Sequence, residues 1–221
     1  MQAMERRDFL KKMLAVGGTV AVSAFAGTAL FSGQDSNKAN GEKKKMKILV
    51  LTGSPRKNGN SNTLAEHFIK GAKEAGHTVV RFDAASKNVH PCIACNRCGM
   101  DGDCVFQDDF NFVREHIINA DMVVLATPMY YFGISAQLKA VIDRFYAING
   151  QIHVPKKAAL LMTYANTSSK DAQPIINHYE VLLDYLGWSN SGMIIAPGVW
   201  PEGSVKNTEY PQQAYELGKK V

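Results

Sequence analysis

From Lys47 onward the chain alternates two hydrophobic patterns. Short, nearly unbroken apolar runs, such as 48–51 and 122–126, are followed by stretches in which apolar residues return every three or four positions. The first pattern belongs to strands buried on both faces, the second to helices with one face against a core. The predicted strands span 47–52, 78–82, 121–127, 158–164 and 191–196. The predicted helices span 62–75, closed by Gly76, then 109–119, 133–147, 171–186 and 210–220. Phe112, Val113 and Ile117 mark the core face of the second helix, and Leu138, Val141, Ile142 and Phe145 that of the third. Pro211 can open the last one, because its missing N–H costs nothing in a first turn. Strands alternating with helices predict an α/β fold, a doubly wound five-stranded parallel sheet with helices on both faces. The one long connection, 86–108, carries every cysteine.

The front of the chain breaks this pattern. Arg6-Arg7-Asp8-Phe9-Leu10-Lys11-Lys12 precedes an apolar stretch rich in Ala, Gly and Val, then Ala24-Phe25-Ala26. This arrangement resembles a twin-arginine export signal with an A-x-A cleavage site. Residues 13–31 are almost long enough to span a membrane, but Gly17, Gly18, Thr19, Ser23, Gly27 and Thr28 dilute them. The reading is therefore a signal segment at 1–33, a polar, Lys-rich flexible linker at 34–46 and one folded domain at 47–221. The resemblance implies use of the twin-arginine export machinery and a periplasmic or cell-envelope location, membrane-anchored if the signal stays uncleaved.

Length and charge fit one domain. A chain of 221 residues, 46% hydrophobic, can bury one full α/β core. Of the formal charge of +5, the first 26 residues contribute +2. The remainder is mild and its basic residues are not interleaved with aromatics, which argues against nucleic-acid binding. Lys43, Lys44, Lys45 and Lys47 read as a solvated linker.

Between the first strand and first helix lies a loop built for an anion. Gly53 and Gly59 are accompanied by the hydroxyls of Ser54, Ser61 and Thr63, the amides of Asn58, Asn60 and Asn62, and the guanidinium of Arg56. A helix start offers unpaired N–H groups and a partial positive charge, so a phosphate ester is stabilised there with few fixed cations. The nucleotide P-loop is excluded, because Asn60 and Ser61 follow Gly59 where Lys and Ser/Thr are required, and G-x-G-x-x-G is absent. A plain capped turn without a ligand remains the alternative. A strand ending in Gly-Ser-Pro-Arg, with Ser-Asn-Thr opening the helix, resembles the flavodoxin-like NAD(P)H-dependent FMN reductase family. The resemblance implies that this loop holds the 5′-phosphate of FMN, and that the strand order is 2-1-3-4-5 with the ligand at the switch between strands one and three.

The loop after the third strand then falls beside the cradle. It reads Pro128-Met129-Tyr130-Tyr131-Phe132-Gly133, similar to the family's Pro-x-Tyr-(Trp or Tyr) with a following glycine. Its aromatics can cover a flat ring system and backbone N–H groups near Gly133 can bond the ring's polar edge. Taken alone it would be read as a core or dimer-contact cluster, and two loops meeting at one expected switch point reverse that reading. Gln137-Leu138-Lys139 to Asp143-Arg144 extends the resemblance, and Asp143 and Arg144 are assigned to helix-end structure or subunit packing.

Cys92, Cys95, Cys98 and Cys104 form C-x2-C-x2-C-x5-C. This spacing can gather four thiolates around one centre. It resembles the motif of the iron-sulfur flavoprotein branch, which implies a four-iron four-sulfur cluster feeding single electrons to FMN. Disulfides, in three possible pairings, or free thiols are the alternatives outside the cytoplasm. Zinc is disfavoured because Cys95 is shared between two C-x-x-C steps. His90, just before the loop, reads as structural.

No Ser-His-Asp or paired-carboxylate set stands out, so no acid–base residue is nominated. The expectation is an exported FMN-dependent oxidoreductase of the NAD(P)H:acceptor or quinone/FMN reductase type, exchanging electrons with small-molecule or protein partners and, as in the family, a homodimer or higher oligomer. A non-enzymatic flavodoxin-like carrier is one alternative; the mildly basic charge counts against it. A thiol-redox or metal-binding module with an empty flavin site is the other.

Overall fold

The computed structural model describes residues 44–221. The export signal at 1–33 and most of the linker lie outside the described residues. Among the described residues no helix is long and apolar enough to cross a membrane.

Strands β1 (Lys47–Thr52), β2 (Thr78–Asp83) and β3 (Met122–Tyr130), the two-residue β4 (Gly133–Ile134), β5 (Lys157–Thr163) and β6 (Ser189–Ala196) form the sheet. Its order is β2-β1-β3-β5-β6, with β4 hanging antiparallel from β3. The five long strands are parallel, in the expected doubly wound order. The sixth, β4, was not expected. Helices α1 (Asn60–Glu74), α2 (Phe110–Ile118), α3 (Ala136–Asp143), α4 (Asn149–Ile152), α5 (Gln173–Leu186) and α6 (Tyr210–Lys220) connect and flank the strands.

Alternation along each strand divides the core in two. Leu49, Leu51, Val123, Leu125, Leu160 and Met162 face the cluster beneath α2, α3 and α5. Ile48, Val50, Met122, Val124 and Leu161 face the cluster beneath α1 and α6. Both faces of the central strands are thus apolar, which is why the runs are unbroken. Fully burying each such side chain contributes about 1.5–3 kcal/mol, so this double layer is what fixes the sheet. Lys156 is buried just before β5, its Nζ donating to the carbonyls of Ile118 and Ala120 at 3.0 and 2.7 Å. It thereby satisfies orphan carbonyls at the end of α2. Burial pulls its pKa below the ordinary lysine value, the Asp121 carboxylate opposing this.

Two expected boundaries change. Met46, assigned to the linker, is buried, and its N–H donates to His77 Nδ1 at 3.2 Å, so the fold begins one residue earlier. The single helix expected over 133–147 is instead β4, then α3, then a 3-10 turn over Arg144–Ile148. The start moves because Ser135 caps α3, its hydroxyl accepting from the Leu138 N–H at 3.4 Å. Leu138, Val141, Ile142 and Phe145 are buried as the periodicity requires.

Candidate functional site

The loop leaving β1 is pinned by the Gly53 N–H, which donates to the carbonyl of Ala126 in β3 at 2.8 Å. It curls so that the Arg56 carbonyl accepts from the Gly59 N–H at 3.0 Å and from Asn62 Nδ2 at 2.8 Å. A side chain at Gly59 has no room, since a Cβ there would lie 2.4 Å from Ser54 Oγ. Gly59 occupies the cap position of α1, no side chain caps the helix, and no acidic residue sits in its first turn. The helix start therefore keeps its unpaired N–H groups and partial positive charge. Ser61 Oγ and Asn62 Oδ1, both buried, have no hydrogen-bond partner. A buried polar atom left unpaired costs about 1–3 kcal/mol, so two together at an uncapped helix start mark a place for a polar ligand. A phosphate ester with its hydroxylated chain supplies the acceptor and the donor these atoms lack, and FMN carries both.

The wall opposite departs from expectation in form. β3 continues through Pro128, Met129 and Tyr130, then turns at Tyr131-Phe132 into β4, with Tyr130 paired to Gly133 and Met129 to Ile134. Both turn residues have positive φ, 46° and 63°. A two-residue hairpin of this hand ordinarily takes Asn or Gly there. Placing two aromatics in the left-handed region stores strain on the order of 1–3 kcal/mol per residue, a cost characteristic of binding sites. Tyr131 is fully exposed, at 101%, and Phe132 half-exposed. Thr127 fixes the hairpin's base by accepting from the Ser135 N–H at 3.0 Å.

Cradle and hairpin meet. Ser54, Arg56, Gly59 and Asn60 share one cleft of ≈ 400 Å³ with Pro128, Met129, Tyr130, Tyr131 and Phe132. Ser61, Asn62 and Thr63 lie in the first turn behind the cradle, and Gly133 lies beyond the hairpin tip, outside the cleft lining. The Thr63 hydroxyl donates to the Gly59 carbonyl at 3.3 Å, and the Asn60 side chain is committed to the loop after β6, so these two side chains shape the site from within. The Arg56 side chain reaches the Trp200 carbonyl at 3.5 Å.

The remaining lining comes from Thr163, Tyr164, Ala165, Asn166, Val199 and Trp200, none of them nominated from sequence. The strand order alone points to them, since they follow the carboxyl ends of the last two long strands. Tyr164 donates to the Ser168 carbonyl at 3.2 Å. Burial raises its pKa, assisted by Asp171 and Tyr210, so it stays a neutral phenol.

The cysteine loop is held from outside. Arg144 sits at the C-terminal end of α3, where a helix-end role was expected, and there it is wholly buried and pairs with Asp108 at 2.8 Å. It also donates to the carbonyls of His90 and Phe106 at 2.8 and 3.2 Å. His90 stacks on Phe106 with centroids 3.9 Å apart, a structural role as read from sequence. Tyr146 bonds Asn96 Oδ1 at 2.9 Å, and the Asn149 N–H meets the Met100 carbonyl at 2.9 Å. Ala94, Asn96 and Met100 take positive φ of 54°, 55° and 69°. Cys92, Cys95, Cys98 and Cys104 are free and line one small cavity of ≈ 20 Å³ together with Arg144, Phe106 and Tyr146. Among the described residues no three His, Cys, Asp or Glu are drawn close enough to hold an ion. The donor set fits an iron–sulfur cluster in number and kind, and the four thiols would have to draw together around it.

Residues 46–198 match the family described as NADPH-dependent FMN reductase. The chain belongs to this family. It is a flavin-dependent oxidoreductase with the flavodoxin-like fold. An iron-sulfur flavoprotein of Archaeoglobus fulgidus is 29% identical over 80% of this chain and 79% of its own. One from Methanocaldococcus jannaschii is 36% identical over 45% of this chain, a match spanning about half (51%) of that relative's length. Among solved structures, an NAD(P)H:quinone oxidoreductase from Methanothermobacter marburgensis superposes with a TM-score of 0.63 at 21% identity, covering 80% of this chain and 96% of its own, which shows the shared fold.

Proposed function

We propose that this reductase is an exported enzyme that holds FMN in the cleft between the 53–63 cradle and the Tyr131-Phe132 hairpin, oxidises a nicotinamide nucleotide or another donor there, and carries a four-iron four-sulfur cluster on its cysteine loop. One observation carries the reading: the uncapped start of α1, with Ser61 Oγ and Asn62 Oδ1 unpartnered behind it, opens into the same cleft as the strained aromatic hairpin. FMN, when bound, supplies the exchange between two-electron and one-electron donors, and a cluster supplies single-electron traffic. The protein's part is to grip the phosphate by helix-start N–H groups, to cover the ring with Tyr130, Tyr131 and Phe132, and to leave one face open beside Trp200.

Four thiols on one clamped loop and the names of the relatives support the cluster. Arg6-Arg7 and the apolar stretch behind it support export, a route that carries proteins already folded around their cofactors. The free thiols, not drawn to ligating distance, favour a thiol-redox role as the second reading of the loop.

The test is an anaerobic visible spectrum of the purified full chain with iron and sulfide assays, followed by stopped-flow reduction with NADPH, NADH and a one-electron donor. Bound flavin reduced by a nicotinamide nucleotide, with iron and sulfide near four per chain as the motif implies, is the expected result. Colourless protein that ignores added FMN overturns the flavin reading. Flavin without iron transfers the loop to the thiol reading, which Cys92→Ser and Cys98→Ser then test through activity at unchanged flavin content.

A further inference from the structure

Arg144 heads the largest fully buried side chains among the described residues. A guanidinium carries five N–H donors and no acceptor. Four are accounted for. Nη1 donates to the His90 carbonyl and to Asp108 Oδ2, both at 2.8 Å, and Nη2 donates to the Phe106 carbonyl at 3.2 Å and Asp108 Oδ1 at 3.3 Å. The rings of Phe106 and Phe110 flank the guanidinium carbon at 5.4 and 4.8 Å. The fifth donor, Nε–H, is buried and has no partner.

A native fold rarely leaves a buried donor of a charged group unpaired. Arg144 also lines the cavity that Cys92, Cys95, Cys98 and Cys104 share, and the other lining groups near it are apolar or already bonded. Four sulfur atoms are among the acceptors that line it.

We infer that Arg144 Nε–H donates a hydrogen bond to a sulfur of the redox centre carried by the cysteine loop, a cysteinyl or sulfide sulfur, and so sets that centre's potential. The inference rests on the cluster reading above. A hydrogen bond to sulfur stabilises the reduced centre, which carries one more negative charge, and therefore raises its potential. Asp108 neutralises the guanidinium across two contacts, so the effect is that of a fixed local dipole and not of a free charge. Arg144 is in this sense a positioning and tuning residue. Its four other donors hold the loop's two ends, and the fifth is left over on the side chain that lines the thiols' cavity.

The experiment uses the full chain, reconstituted anaerobically with iron and sulfide. Arg144→Lys keeps a cation opposite Asp108 and removes the Nε donor. The expected result is a lower midpoint potential for the cluster, with flavin content and flavin potential unchanged. Because this variant also loosens the loop, wild-type protein is measured independently: it is grown on arginine labelled with the heavy nitrogen isotope, reduced with dithionite and examined by pulsed electron paramagnetic resonance. A coupled arginine nitrogen that survives Arg97→Lys and Arg114→Lys supports the inference, since Arg97 lies within the loop and Arg114 donates to its Gly102 carbonyl. A cluster with no coupled arginine nitrogen overturns the inference and leaves the cluster reading standing. A wild type that takes up neither iron nor sulfide overturns the cluster reading, and the inference with it.

Discussion

Asn60 Nδ2 lies 3.0 Å from the carbonyl oxygen of Val199, a contact that ties the start of the first helix to the loop after the last strand. The same amide nitrogen reaches the Pro201 carbonyl at 2.9 Å, and its oxygen accepts the Val205 N–H at 3.2 Å. One side chain thus joins two walls of the cleft that are 139 residues apart in sequence. Asn60→Ala leaves two carbonyls and one N–H to find other partners, and should cost about 1–3 kcal/mol. Urea denaturation of the flavin-free protein measures this, and the flavin should dissociate faster in the same variant because Trp200 is no longer held.

Ser61→Ala separates binding from folding. The hydroxyl is buried with no partner, so removing it should not destabilise the flavin-free protein and should stabilise it by about 1 kcal/mol or more. FMN affinity, read by quenching of flavin fluorescence, should fall by about tenfold, equivalent to ~1.4 kcal/mol. A loss of stability with no loss of affinity would assign Ser61 to the core.

The hairpin predicts the reverse trade. Tyr131 and Phe132 hold positive φ, which Asn and Gly adopt without strain. The double substitution Tyr131→Asn with Phe132→Gly should stabilise the flavin-free protein by on the order of 1 kcal/mol while weakening flavin binding. Thermal melts with and without FMN give both quantities.

Asp108 predicts a pH dependence. Burial alone would raise its pKa, but the hydrogen bond from Arg144 and the N–H groups of His90 and Phe110 outweigh it, and the carboxyl sits below its ordinary value of 3.8. A depressed folded-state pKa contributes stability that is present above the unfolded value and lost as the pH falls through the folded one. Wild-type stability should therefore drop below about pH 4, and Asp108→Asn should show a flatter profile there. At neutral pH the same variant leaves Arg144 buried without its counter-charge, at a cost of about 3–5 kcal/mol. Equilibrium denaturation across the acid range tests both statements.

The five long strands were legible because each is an apolar run closed by polar or turn residues, and their ends fell within a residue or two except where β3 runs on to Tyr130. That extension was hidden because Pro128 reads as a strand breaker, whereas here it sits at the sheet's far end, paired in register with Thr163. The cradle was readable since its glycines, hydroxyls and amides are contiguous. What Asn60 does was not, because its partners lie beyond residue 198. The cysteine spacing was plain, but the shape of that loop is imposed by Arg144 across 36 to 54 positions. Local pattern carries no trace of such a contact. Thr163 to Asn166 and Trp200 join the site only through the parallel order of the sheet.

The grip on a phosphate ester at the start of α1 is tested most directly by titrating flavin-free protein with FMN and with riboflavin, in the wild type and in Gly59→Val. A Cβ at position 59 collides with Ser54 Oγ and distorts the cradle without touching the hairpin. FMN should bind the wild type far more tightly than riboflavin, and the substitution should erase most of that difference while leaving riboflavin binding unchanged. Equal affinities for the two flavins in the wild type would contradict the assignment of the cradle.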